Sequence, residues 1–174
     1  MLSKKKLFEN KEQISSCRDK IIKNTNLKIN ELFHDGDALE FLKKIKFEQC
    51  GYDPLFEESI NIIEQINQTF TYLVCLKAAE ILLSKYPLKR FYINFGTQAG
   101  YDVISEDERI ICECFAVTSP DSNSKLEMDT KKVSLDTISE NKYVIYYSKN
   151  QKPIHVANIK QKYPNVQILE LDDL

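Results

Sequence analysis

Residues 100–118 read GYDVISEDERIICECFAVT, and the fold turns on how this stretch pairs with itself. It reads as two antiparallel strands, 101–105 and 109–118, joined by the acidic tip Glu106-Asp107-Glu108. A hairpin symmetric about Asp107 and Glu108 sets Asp102 directly across from Glu113. Facing residues share one side of a sheet, with Cβ atoms roughly 5 Å apart. Two carboxylates so placed repel unless a cation lies between them. Mg²⁺ takes oxygen ligands and is held by one or two carboxylates plus substrate phosphate, which makes the pair a candidate metal site.

Upstream of the hairpin, residues 90–95 (RFYINF) form a strand and 96–99 a turn. The longest helical region precedes them, at about 55–86, with an interruption near 67–69. Its second half is apolar nearly all the way round, which predicts burial on several sides, and Pro87 ends it. Lys77 and Glu80 share one face of it at i, i+3. They read either as a local ion pair or, with Glu80 aimed at the carboxylate pair, as a third metal ligand or water-positioning group.

Downstream, Asp121, Ser122 or Asn123 caps a helix over 124–139 with Leu126, Thr130, Val133 and Thr137 inward. A strand at 143–148, a short helix at 155–163 and a strand at 166–171 follow. A helix that crosses over between two strands makes their pairing parallel. The order predicts a mixed α/β sheet flanked by helices.

Residues 1–53 read as an N-terminal helical extension and 54–174 as the α/β domain. Within the extension a thin apolar stripe (Leu7, Phe8, Ile14, Ile21, Ile22) leads to a polar turn at 24–26 and a second helix. That helix breaks at Gly36 and restarts with Asp37 as N-cap, facing Leu39, Phe41, Leu42 and Ile45 inward. His34, Asp35 and Asp37 read as helix punctuation rather than a metal cluster. Gly51-Tyr52-Asp53-Pro54 is a turn.

A chain of 174 residues with net charge −2 is one domain by length and carries no overall basic field. No apolar run approaches the roughly 20 residues that span a membrane. The five cysteines fit neither a zinc knuckle nor a redox pair, and alternation puts Cys112 and Cys114 on the sheet face opposite Glu113, in the core. Free thiols and the charged start imply a reducing cytoplasm. With four glycines and no phosphate-binding glycine motif, a nucleotide-binding domain is set aside.

The element order, with Gly100-Tyr101-Asp102 on one strand and Glu113-Cys114-Phe115 on the next, resembles the PD-(D/E)xK nuclease superfamily over about 63–147. The resemblance implies a restriction-endonuclease-like αβββαβ core. It also implies a cytoplasmic, metal-dependent nuclease of restriction or defence type that hydrolyses phosphodiester bonds, most plausibly in DNA. Asp102 and Glu113 would bind Mg²⁺ or Mn²⁺, with the carbonyl of Cys114 as a further ligand and Glu80 or Gln98 auxiliary. The superfamily carries a lysine two residues past the glutamate, and here that position is Phe115. Either Lys125, at the start of the next helix, takes its place, or the site is inactive and Lys125 only pairs with Asp129. Lys125, Lys131 and Lys132 would meet DNA, or form an ordinary solvated face. The alternative to an enzyme is an inactive module of the same fold that binds nucleic acid or protein partners through its N-terminal helices. Those helices would also serve a homodimer, by analogy with nucleases that cut both strands.

Overall fold

The structure is a computed structural model that describes residues 4–32, 37–96 and 98–174. In chain order the elements are β1 (Lys5–Phe8), α1 (Lys11–Leu32), α2 (Ala38–Phe47), β2 (Gly51–Tyr52), β3 (Ser59–Ile60) and α3 (Ile62–Lys85). There follow β4 (Phe91–Asn94), β5 (Val103–Ser105), β6 (Ile110–Val117), α4 (Lys125–Ser134), β7 (Asn141–Ser148), α5 (Pro153–Lys162) and β8 (Gln167–Leu171). Six strands make one sheet in the order β1-β4-β5-β6-β7-β8, antiparallel from β1 to β6 and parallel from β6 to β8. The fold is thus mixed α/β, with helices on both sheet faces.

Period-two alternation gives each strand two different faces. On one, Phe91, Ile93, Val103, Cys112, Cys114 and Tyr143 pack with Leu76 and Leu82 of α3 and Ile14 and Ile21 of α1. On the other, Ile111, Phe115, Val144, Tyr146 and Ile168 pack with Leu126 and Val133 of α4 and Ile159 of α5. The thiols of Cys112 and Cys114 are buried 3.6 Å apart on the α3 side, away from Glu113.

β1 and α1 are built into this frame rather than appended to it. Lys5–Phe8 pairs antiparallel with Phe91–Asn94 as the edge strand of the sheet, and Ile14 and Ile21 are wholly buried. Ile21→Ala should therefore cost about 2–3 kcal/mol, as for other buried aliphatic truncations. Urea denaturation reads this, and a cost below about 0.5 kcal/mol would instead mark α1 as a detachable arm.

The turn expected at 24–26 is absent, because α1 runs on through it. Asn24 Nδ2 donates to the Pro54 carbonyl at 2.8 Å and the Thr25 hydroxyl lies 3.5 Å from that of Thr69, so tertiary contacts hold these weak helix formers in place. The expected break at Gly36, with His34 and Asp35, lies outside the described residues. In α2 the side chains of Leu39 and Leu42, expected inward, are more than half exposed. The long helix starts only at Ile62, after the short β2–β3 hairpin, where the Asn61 side chain accepts the Glu64 N–H at 2.8 Å. It then continues unbroken through 67–69. Helix α4 ends at Ser134, before the expected 139, since Asp136 Oδ1 accepts the N–H groups of Ile138 and Ser139 and ties off a turn.

Asp53 anchors the Gly51-Tyr52-Asp53-Pro54 turn and is fully buried. Its Oδ1 accepts from the Leu55 and Phe56 N–H groups at 2.9 and 3.0 Å. Its Oδ2 lies 3.1 Å from the Tyr72 hydroxyl and 3.5 Å from Lys4 Nζ. The knot joins the N-terminus, the turn and α3, and Tyr72 also reaches the Phe95 carbonyl at 2.9 Å.

Candidate functional site

The β5–β6 register pairs Val103 with Cys112 and Ile104 with Ile111. One step further, Asp102 faces Glu113 at the open end of β5. The Cys114 N–H donates to Asp102 Oδ2 at 2.7 Å, in place of the strand that has ended. The N–H and C=O of one strand residue point to the same edge, so the Cys114 carbonyl is also turned toward Asp102 and away from β7.

Helix α4 crosses this face and brings three charged side chains along one flank of its buried stripe. Lys132 Nζ donates to Glu113 Oε1 at 2.6 Å and to the Gly100 carbonyl at 2.8 Å. Lys125 Nζ, two turns back, donates to Asp129 Oδ1 at 2.9 Å, and Asp129 is itself buried. Lys125 was the expected replacement for the missing strand lysine, yet the ammonium on Glu113 belongs to Lys132. The two are seven residues apart, two turns of one helix face. Only the line α4 takes across the sheet decides which of them meets the pair.

Glu113 is buried, and that burial pushes its carboxyl up to about 7. The negative charge of Asp102 adds to the rise and Lys132 opposes it. Burial also raises Asp102, against the Cys114 N–H, and raises Asp129, against Lys125. Three carboxylates thus face two ammonium groups, and one negative charge is left to be balanced by a proton or by a cation.

Glu80 does not join them. It lies on α3, across the sheet from Glu113, and accepts from Arg18 Nη2 of α1 at 3.0 Å. The expected pairing with Lys77 does not form either, since Lys77 lies 3.7 Å from Asp173. Gln98 is in the turn before β5, where its carbonyl accepts from Asn94 Nδ2 at 3.0 Å. Its residue does line a cavity of about 400 Å³ together with Asp102, Glu64, Asn67 and Gln68. The α3 residues of that wall were missed in the sequence, hidden by the apolar pattern around them.

Among the described residues no group of three or more His, Cys, Asp or Glu side chains is arranged to hold a metal. The carboxylates of Asp102 and Glu113 share one hairpin, and the Cys114 carbonyl lies on the strand edge that faces Asp102. Such hard oxygen donors suit Mg²⁺ or Mn²⁺, which need only one or two carboxylates when phosphate and water complete the shell. No helix of the described residues is long and apolar enough to cross a membrane. The chain matches no family model, no curated protein and no solved structure.

Proposed function

We propose that the protein is a metal-dependent nuclease with a restriction-endonuclease-like core that hydrolyses phosphodiester bonds of nucleic acid, DNA first among them. The observation that carries this reading is the Asp102–Glu113 pair set across one hairpin with the Lys132 ammonium on Glu113. Asp102, Glu113 and the Cys114 carbonyl would hold Mg²⁺ or Mn²⁺. When bound, such an ion supplies Lewis-acid charge and a more acidic water.

The chain's own groups do the rest. Lys132 fixes the Glu113 carboxylate and sets a positive charge beside any phosphate that reaches it. The Cys114 N–H fixes Asp102 in one orientation. A water oxygen would bond to phosphorus and lose its proton to solvent as the bond to the sugar oxygen breaks. That sugar oxygen takes up a proton from solvent, and Lys132, bonded to Glu113, would steady the added charge.

Nicking of supercoiled plasmid, and cleavage of labelled single-stranded DNA and RNA, test this with Mg²⁺ and Mn²⁺. Lys132→Met should lower the rate about 10–100-fold, the usual effect of removing a partner that orients a metal ligand. Lys125→Met should lower it less than about 10-fold. The reverse ranking would return the role to Lys125, and no cleavage by the wild type in any lane would sink the reading.

A second reading is an inactive module of the same fold. It draws on the same contacts, because Lys132 and the Cys114 N–H already compensate much of the carboxylate charge without a metal. The assay separates the two.

A further inference from the structure

A second cavity, of about 590 Å³, lies at the carboxyl ends of the parallel strands β6 and β7 and shares Asn67 and Thr71 with the cavity that holds Asp102. In α/β sheets this is the end where ligands enter. Phe115 links the two places: it lies two residues from Glu113 on the same sheet face and also lines the cavity. The apolar walls come from Ile66 and Phe70 of α3, from Phe115 and Val117 of β6, and from Tyr147 of β7. Ile66 and Phe70 keep 43% and 44% of their surface uncovered, whereas no residue of α3 from 71 to 83 is exposed.

The charges on this cavity are of one sign. Its lining residues include Lys149, and Lys125 whose ammonium also pairs with Asp129, and no Asp or Glu, on a chain whose net charge is −2. The cavity that holds Asp102 carries Glu58 and Glu64 as well. The lip is the segment before α4, where Asn123 and Ser124 stand at φ 51 and 53. Two successive left-handed residues without glycine are costly, and such strain gathers at ligand sites. Asn67, Ser122 and Asn123 add hydrogen-bonding groups at the rim.

We infer that this cavity takes an unpaired nucleobase of a strand whose phosphate lies at Asp102 and Glu113, with Phe70 and Tyr147 as its aromatic walls. The inference rests on the nuclease reading for the position of that phosphate. A paired base in a duplex has no free face to offer such a pocket, whereas an unstacked base is bound by aromatic faces with a cationic groove along its backbone. The substrate class is therefore single-stranded nucleic acid.

Fluorescence anisotropy with the full-length protein in Ca²⁺ tests this. The probe is one fluorescein-labelled oligonucleotide, used alone and annealed to its complement. The single strand should bind at least about 10-fold more tightly than the duplex. Phe70→Ala should weaken single-strand binding about 5- to 100-fold, the range for loss of one base-stacking side chain, and Phe70→Tyr should restore it. Phe70 is half exposed, so a melting curve should show the variant folded. Lys149→Gln should reduce the salt slope of single-strand binding by about 0.7. Equal binding of strand and duplex, or no effect of Phe70→Ala, overturns the pocket. Cleavage by the same preparations in Mg²⁺ separates this from the nuclease reading. Metal-dependent cleavage with Phe70 silent removes the pocket alone. Phe70-dependent binding without cleavage keeps the pocket and removes the nuclease.

Discussion

Glu113→Gln is expected to lower hydrolysis by on the order of 10³-fold while making the metal-free protein more stable at pH 8. The first effect follows from taking away a carboxylate that would hold the ion. The charge stabilisation an ion provides in the transition state amounts to several kcal/mol. The second follows from burial. The Glu113 carboxyl titrates at about 7 in the folded chain, against an ordinary 4.5. Below the ordinary value both folded and unfolded chains carry the proton, and stability is unaffected. Between the two values only the folded chain carries it, so stability falls as pH rises through that window. Above it the folded protein holds a buried charge at a penalty on the order of 2–3 kcal/mol. The neutral amide removes that penalty, and the value of about 7 already includes the opposing pull of Lys132. A gain of about 2 kcal/mol should raise Tm by roughly 6 °C at pH 8, and the difference should vanish near pH 5. Mn²⁺ should raise the Tm of the wild type and not of the variant. A variant less stable than wild type at pH 8 would mean that Lys132 outweighs burial.

Asp53→Ala should be the most destabilising single change outside the apolar core, at about 3–5 kcal/mol. Two backbone N–H groups, the Tyr72 hydroxyl and Lys4 converge on one fully buried carboxylate. Removing it leaves buried donors without acceptors, each costing about 1–3 kcal/mol. Tm should drop by roughly 10 °C, and urea denaturation should give the same ranking. Tyr72→Phe should cost only about 1–2 kcal/mol, since it removes a donor and leaves the Leu55 and Phe56 bonds in place. Equal losses from the two variants would locate the stability in the Tyr72–Phe95 link instead.

The hairpin was legible because its symmetry is local. Once Asp107 and Glu108 form the tip, the period of two leaves Asp102 no partner but Glu113. The inward stripe of α4 was legible for the same kind of reason, and Leu126, Thr130 and Val133 are all fully buried. Thr137 fell outside the helix because Asp136 turns the chain first. What the sequence concealed depends on distant partners. Lys5, Lys6, Leu7 and Phe8 carry no strand pattern of their own and become β1 only because β4 offers an edge. Lys132 looked like one surface lysine among several, and its contact with Glu113 depends on where α4 crosses the sheet.

The pairing of β1 with β4 also orders events in time. Lys5 is made before its partner Asn94, which follows most of a hundred residues later. At about 5–20 residues per second the ribosome needs roughly 5–20 s to supply it. For that interval β1 and the apolar side of α1 lack the sheet edge they close on, so a segment made before α3 and β4 is fixed only after them. Removing β1 would act at this closure, leaving β4 as an open edge that another chain could join.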